Sequence, residues 1–294
     1  MKPTNYIEFK KQRELGEILS DTFGFIRLEF KPLFGTLLRI VGPYLLVMLI
    51  ALGFYLFSFG DLMNIAIVSS SNAMFSPIIM VLSVIVLILS SIMVYAVSYG
   101  GVLYYIKSYI ENTGKTDYHS IRKQVYDNFW SIVGLGILIG LSLIVGFIFC
   151  IIPGIYLAVP LALAFAILVF QNKGASDSYS ESFNLVKNEW WMTFATLLVL
   201  YIIIAVASAA FSLPTVIYSW IKMGIFSGKF DAESMNAFTD PIYLLLNLIQ
   251  QVVQFLMRVV LLIATAFIYF NLNEKKNFTG AFERIDKLGN TNEQ

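Results

Sequence analysis

Five polar residues recur at helical spacing within the last long apolar stretch of the chain, which covers residues 241–270. They are Asn247, Gln250, Gln251, Gln254 and Arg258. Spacings of three and four residues place side chains on one face of a helix, so these residues predict a single polar stripe. The stripe is the candidate intramembrane polar site of a chain otherwise dominated by apolar residues.

Arg258 is the residue of this stripe whose insertion into a membrane costs the most free energy. It lies about 12 residues from the C-terminal end of the stretch, roughly 18 Å along a helix axis. An arginine near the bilayer centre costs about 2.5–3.5 kcal/mol on insertion scales, so it should face protein or water. One interpretation is a hydrated cavity or an anion site, for instance for a lipid phosphate. The other is a hydrogen-bond hub joining this helix to its neighbours or to a partner subunit, with Tyr95 or Tyr99 as candidate partners.

Residues typical of catalysis or metal binding are scarce. His119 is the only histidine and Cys150 the only cysteine, so neither a zinc site nor an intrachain disulfide is expected. Gly134, Gly136 and Gly140 form a GxGxxxG string, but it lies in an apolar stretch that no strand precedes. It therefore predicts close helix packing rather than dinucleotide binding. The sequence predicts no enzyme, no cofactor and no metal.

Composition points to a membrane. The chain has 294 residues, 58% of them hydrophobic and 13% charged. An ordinary soluble domain has about 45–50% apolar and about 25% charged residues, so too little polar surface is present to cover a water-soluble globule. The net charge of +1 provides no basic field that would recruit nucleic acid. Membrane lipids are the expected surroundings.

Six apolar stretches approach the length of about 20 residues that a membrane-spanning helix needs. They cover residues 32–59, 77–106, 130–152, 155–170, 191–211 and 241–270. The fourth is short and is interrupted by Pro160. The fifth is expected to bend at Pro214, which leaves residues 215–226 as a re-entrant or interfacial segment. We predict an all-α polytopic membrane protein with six transmembrane helices.

The distribution of lysine and arginine predicts the orientation. In the six-span arrangement, sixteen of these residues lie before span one, after spans two and four, or in the tail, and two lie in the opposite loops. Positive residues favour the cytoplasmic side, so both termini are expected in the cytoplasm. The chain is predicted to be one membrane domain over residues 1–294, with an amphipathic N-terminal segment (1–31), a transmembrane region (32–270) and a cytoplasmic tail (271–294).

Three segments ahead of span pairs are amphipathic. Their apolar residues are Leu19, Phe23, Ile26 and Phe30, then Tyr118, Ile121, Val125 and Phe129, then Tyr179, Phe183, Val186 and Trp190. Such helices lie in the headgroup plane. We interpret them as three tandem units of interfacial helix plus two spans, although any hairpin entering a membrane tends to have this pattern. Phe278, Phe282, Ile285 and Leu288 form a fourth amphipathic stretch in the tail.

Five residues are candidates for contact with lipid headgroups. They are Arg39, Arg122, Lys123, Trp190 and Trp191. Arg39 is expected about seven residues into span one, from where its long side chain can reach the cytoplasmic surface. Arg122 and Lys123 belong to the charged face of the second amphipathic segment. The paired tryptophans begin span five, at the depth that amphipathic rings favour.

The region 117–215 resembles a bacterial family. It contains Pro153-Gly154-Ile-Tyr, Ala164-Phe-Ala-Ile-Leu-Val-Phe170, Gly174-Ala-Ser-Asp177, Ser180-Glu-Ser182, Leu185-Val-Lys187 and Trp190-Trp191. This pattern is similar to the membrane domain of glycerophosphoryl diester phosphodiesterases and to the related DUF975 and YciC-like proteins. The resemblance implies a multi-span fold in a bacterial inner membrane. It implies no activity, because the chain has no phosphodiesterase catalytic domain.

Two functions fit these features. The first is a non-catalytic component that assembles or supports a complex of other membrane protein subunits, and a homo-oligomer is compatible with it. The second is a transporter, channel or lipid-handling protein that uses the polar stripe. Coupled transporters usually carry an Asp or Glu inside the membrane, and none lies within the predicted spans. Transport therefore ranks second.

Overall fold

The computed structural model describes residues 6–68, 76–225, 240–282 and 285. Over these residues the fold is all-α, as predicted, with no strand. The helices are α1 Leu15–Ile40, α2 Gly42–Val68, α3 Ser76–Glu111, α4 Tyr118–Asp127, α5 Phe129–Phe149, α6 Ile151–Leu161, α7 Ala164–Phe170, α8 Ala175–Val186, α9 Trp190–Lys222 and α10 Pro241–Asn277.

Six segments are long and apolar enough to cross a membrane, which confirms the predicted number. They are Gly42–Phe59, Pro77–Glu111, Phe129–Phe149, Ile151–Phe170, Trp190–Lys222 and Pro241–Asn277. This pattern is typical of a multi-pass membrane protein. The last segment ends at Asn277 rather than 270, so part of the predicted tail is helix.

The start of the first span was predicted wrongly. Pro32 does not open a span but lies inside α1, which begins at Leu15 and ends at Ile40. The buried stripe of Ile18 and Phe25 continues beyond this proline to Leu33 and Leu37, so packing outweighs the missing backbone donor. The break comes at residue 41, and α2 then begins with Gly42-Pro43, where a proline in the first helical turn is well tolerated.

The predicted interruption of the fifth span at Pro214 is also wrong. Helix α9 continues through Pro214 to Lys222, so residues 215–222 extend the fifth span and are not re-entrant. Of the rest of the predicted re-entrant segment, residues 223–225 form a turn after α9, and residue 226 lies outside the described residues. Prolines are tolerated in membrane helices because neighbouring groups satisfy the freed carbonyl.

Pro160 does mark an interruption of the fourth span, as predicted. Helix α6 ends at Leu161, and α7 begins after a turn at residues 162 and 163. A proline has no N–H to donate to the carbonyl four residues earlier, which here belongs to Tyr156. The indole Nε1 of Trp190 donates to that carbonyl oxygen instead, at 3.3 Å.

The contacts group the chain into two compact units. Unit 1 comprises Met1–Ile40, Ala96–Ile202 and Val259–Gln294, and unit 2 comprises Val41–Tyr95 and Ile203–Arg258. Unit 1 therefore contains α1 and α4 to α8 whole, and unit 2 contains α2. Helices α3, α9 and α10 contribute residues to both.

Unit 1 is built around an aromatic cluster that receives the segment before α1. The ring of Phe9 stacks on Phe267 at a centroid distance of 4.3 Å and meets Phe25 edge-on at 5.2 Å. The ring of Tyr6 stacks on Tyr109 at 5.2 Å, and the Tyr109 hydroxyl accepts a hydrogen bond from the backbone N–H of Ile7. Residues 6–13 are thus packed against α1, α3 and α10.

Arg13 holds this segment in place. Its side chain is 1% exposed, and Nε lies 2.8 Å from Oδ2 of Asp21. The guanidinium also donates to the carbonyl oxygens of Glu8, Phe9 and Lys11. A buried cation is tolerated when it has an acidic partner and most of its donors are hydrogen-bonded, as they are here.

The amphipathic segments form helices, and the structure buries only part of the apolar faces that were predicted to lie against the membrane. In α4 Ile121 and Val125 are buried inside the protein and do not face lipid. In α8 the buried positions include Ser178 and Ser182, which periodicity of apolar residues cannot reveal. In α1 Phe23 and Phe30 are exposed, 50% and 56%, which is compatible with the predicted contact of this face with lipid. In the tail Phe278, Phe282 and Ile285 are exposed, and residue 288 lies outside the described part.

Substituting Gly280 by alanine should loosen the segment before α1. A Cβ atom at Gly280 would lie 2.5 Å from the backbone oxygen of Lys10, closer than real contacts allow. We expect faster trypsin cleavage after Lys10 and Lys11 in Gly280→Ala than in the wild-type protein. Gly16→Ala is the matched control, because nothing lies within 4 Å of its added Cβ. Equal cleavage rates in all three proteins would contradict the packing described here.

Candidate functional site

The polar stripe of α10 lines one side of a small cavity in unit 2. The cavity has a volume of about 140 Å³. Gln251, Gln254 and Arg258 contribute its polar lining, and the other residues come from α2, α3 and α10: Leu45, Met48, Leu52, Leu87, Ser91, Val94 and Phe255. Three of the five predicted stripe residues are therefore brought together.

The other two stripe residues are not part of the cavity lining. Neighbouring positions such as Gln250 and Gln251 point about 100° apart around a helix axis, so the five residues cannot all face one cavity. Gln250 is half-buried outside this lining. The side-chain amide of Asn247 donates to the backbone oxygen of Tyr243 at 2.9 Å and so remains on its own helix.

Arg258 is exposed at the edge of this cavity. Its guanidinium carbon lies 6.0 Å from the centroid of the Tyr95 ring, which is one of the two partners the sequence suggested. Across the described residues it has no hydrogen-bond or ion-pair partner. The second suggested partner, Tyr99, packs against Phe165 in unit 1 with its ring tilted, at a centroid distance of 4.4 Å.

The start of α10 is fixed by Asp240. Its Oδ1 atom accepts a hydrogen bond from the backbone N–H of Ile242 at 2.9 Å, and its Oδ2 atom lies 2.8 Å from Nζ of Lys222. The hydrogen bond from Lys222, then that from Ile242, lower the pKa of Asp240 to about 2. The carboxylate therefore stays charged at physiological pH and caps the helix that carries the stripe.

All five predicted headgroup contacts lie in unit 1. Arg39 was placed wrongly inside span one. It lies in the last turn of α1, exposed, with its guanidinium 5.8 Å from the Tyr118 ring. Arg122 and Lys123 are exposed on α4. Trp190 stacks on Tyr156 at 5.6 Å, and Trp191 is 76% exposed.

Unit 1 also holds a polar cavity of about 500 Å³ that sequence reasoning missed. Its lining includes Lys10, Lys107, Lys173, Glu111 and Glu181, together with Gln171, Tyr269, Asn273, Asn277 and others. The Lys107 ammonium donates to Asn172 Oδ1 at 2.6 Å and to the Val169 carbonyl at 3.1 Å. The polar residues that follow spans two, four and six were the available signal, but nothing in their spacing shows that these three span ends meet.

In the described part of the chain, no group of three His, Cys, Asp or Glu side chains is placed to hold a metal ion. His119 lies on the exposed side of α4, and its backbone N–H is capped by Asp117. No family model, curated protein or solved structure matches the chain. The site must therefore be interpreted from its own geometry.

Proposed function

We propose that this protein is a non-catalytic subunit or assembly component of a membrane protein complex, and that the Arg258 side of α10 contacts a partner subunit. The observation that carries the proposal is the exposure of Arg258 within an apolar helix. A charge left against lipid costs about 2.5–3.5 kcal/mol, so another group is expected to cover it. The neighbouring amides of Gln251 and Gln254 add donors and acceptors suited to hydrogen bonds between membrane helices.

The setting we propose is a bacterial inner membrane with both termini in the cytoplasm. The excess of lysine and arginine on one side of the apolar segments supports this orientation. The resemblance of residues 117–215 to the glycerophosphodiesterase membrane domain, DUF975 and YciC-like proteins supports the bacterial setting. Lipids are the second partner, and a second copy of the chain is compatible with the proposal as the covering subunit.

A second candidate function is lipid handling, and the cavity beside Arg258 favours it. An arginine at the mouth of a small cavity is suited to a phosphate group. Pockets for drug-sized ligands measure about 300–1,000 Å³, so the 140 Å³ here fits a headgroup fragment or water better than a large solute. Transport of a large solute through this cavity is correspondingly disfavoured.

Purification from native membranes distinguishes these functions. The protein would be isolated at its natural expression level in mild detergent, and everything that accompanies it identified by mass spectrometry. We expect a membrane protein present in stoichiometric amount. A solitary protein would overturn the assembly proposal, and a tightly retained anionic phospholipid with no protein partner would favour the lipid-handling function.

A further inference from the structure

Helices α5 and α6 form a hairpin whose tip is apolar and exposed. The two helices approach most closely where Gly146 faces Gly154, since a Cβ atom on Gly146 would lie 3.1 Å from the Gly154 Cα atom. Beyond this crossing lie Ile148, Phe149, Ile151 and Ile152, which are exposed by 77%, 82%, 67% and 75%. Cys150 is at the centre of the tip and is also exposed.

The contact of α6 with α9 limits how far this tip extends beyond the start of α9. Trp190, the first residue of α9, donates its indole N–H to the Tyr156 carbonyl and stacks on the Tyr156 ring. Tyr156 follows Cys150 by six residues. At 1.5 Å per residue, the tip lies about 9 Å along α6 from the level of Trp190.

The contact of α5 with α8 sets a similar limit. The Tyr179 hydroxyl of α8 donates to the Ser142 hydroxyl of α5 at 3.0 Å. Ser142 precedes Cys150 by eight residues. The tip therefore extends about 12 Å beyond this contact.

The charges around α8 place this helix outside the hydrocarbon. Glu181 lies 3.5 Å from Lys173, and Glu189, just before α9, lies 2.9 Å from Lys275. Charged groups are costly in the bilayer core, so α8 and the start of α9 belong in water or among headgroups. The hydrocarbon is about 30 Å thick, and a tip 9–12 Å beyond the contacts at Tyr156 and Ser142 reaches less than halfway across it.

A groove between the hairpin tip and the start of α9 has the chemistry of a membrane interface. It has a volume of about 520 Å³ and is lined by Ile152, Ile155, Tyr156, Lys187, Asn188, Trp190, Trp191 and Phe194. Tryptophan and tyrosine favour the headgroup level, and a lysine beside them suits a lipid phosphate. The floor of isoleucine and phenylalanine suits an acyl chain.

We propose that the α5–α6 hairpin is re-entrant: it inserts into a single leaflet, from the side on which α8 lies, and binds lipid rather than crossing the bilayer. The chain then crosses four times, through Gly42–Phe59, Pro77–Glu111, Trp190–Lys222 and Pro241–Asn277. Four crossings, like six, keep both termini on one side. All six segments are long and apolar enough to span a bilayer. The contacts with α8 and Trp190, however, prevent the third and fourth segments from reaching the far leaflet.

Cys150 provides a direct test, because it is the only cysteine in the chain. The wild-type protein in sealed vesicles of each orientation would be treated with a membrane-impermeant maleimide, before and after detergent is added. We expect no labelling of intact vesicles from either side, and labelling once detergent is present. Since Cys150 is exposed on the protein, a lack of labelling reflects lipid and not burial within the fold. Labelling from the side opposite the termini would show a full crossing, and labelling from the same side would place the tip in water; either overturns the proposal.

Two variants in a Cys150→Ser background calibrate the two sides. Lys123→Cys is exposed on α4 and should label from the side of the termini. Ile225→Cys, which follows α9 and is 41% exposed, should label from the other side. A lipid-soluble quencher gives an independent depth: a fluorophore on Cys150 should be quenched most by bromine placed in the middle of one leaflet. Strongest quenching at the bilayer surface would overturn the proposal.

Discussion

Arg258→Leu should separate the protein from its partner while leaving the isolated chain inserted and folded. The guanidinium is exposed in an apolar helix, so leucine removes a cost of about 2.5–3.5 kcal/mol rather than a stabilising interaction. Hydrogen bonds to charged groups are worth about 1.5–3 kcal/mol each, so losing one weakens partner binding roughly ten- to hundredfold. The measurement is the amount of partner that co-purifies per protein, together with the melting temperature of the isolated protein.

The control for this experiment lies on the same helix. Gln254 lines the cavity beside Arg258, and Gln250 does not. Gln254→Leu should reduce the co-purified partner, whereas Gln250→Leu should leave it at the wild-type amount. The alternative is that Arg258 stabilises contacts between helices of its own chain. In that case Arg258→Leu should lower the melting temperature of the isolated protein. If Arg258→Leu matches the wild type in both the amount of co-purified partner and the melting temperature, Arg258 is not part of a functional site.

Hydropathy predicted the six apolar segments because the membrane imposes a simple requirement on helix length and composition. Local helix breakers were less informative. Pro32 and Pro214 both lie inside continuous helices, since the packing of the surrounding turns outweighs one lost backbone hydrogen bond. Pro160 behaved as predicted, and there the freed carbonyl of Tyr156 gained a donor from Trp190, 34 positions along the chain.

The candidate site was only partly predictable. Helical periodicity identifies a polar face, but the cavity selects Gln251, Gln254 and Arg258 from it, and that choice depends on where α2 and α3 pack. Buried charges were not predicted at all. Arg13 was counted among the positive residues that set orientation, yet its backbone N–H is bonded to Asn271, 258 positions away. Such a contact depends on the assembled fold and leaves no periodic trace in the sequence.

Arg13→Met should be the most destabilising substitution outside the apolar core. It leaves Asp21 without its cation and removes the donors used by the carbonyl oxygens of Glu8, Phe9 and Lys11. Removing one partner of a buried ion pair costs about 3–5 kcal/mol, and the partial exposure of Asp21, 32%, favours the lower end of that range. Packing against the Phe267 ring, 4.8 Å from the guanidinium carbon, is also weakened.

The effect of Arg13 should be specific to a buried guanidinium and not to positive charge. Lys11 is the matched control, because its ion pair with Glu17 is exposed, 45% and 49%, and solvent screens such pairs so that they contribute little to stability. Lys11→Met should therefore unfold at nearly the wild-type denaturant concentration. Arg13→Lys should unfold at a denaturant concentration between those of Arg13→Met and the wild type, since an ammonium keeps the charge but cannot reach all the acceptors that the planar guanidinium satisfies.

Unfolding of the three variants and the wild type would be followed by helical circular dichroism in mixed detergent and SDS. If Arg13→Met unfolds together with Lys11→Met, Arg13 does not hold the segment before α1 in place, and the cluster around Phe9 must be stable without it.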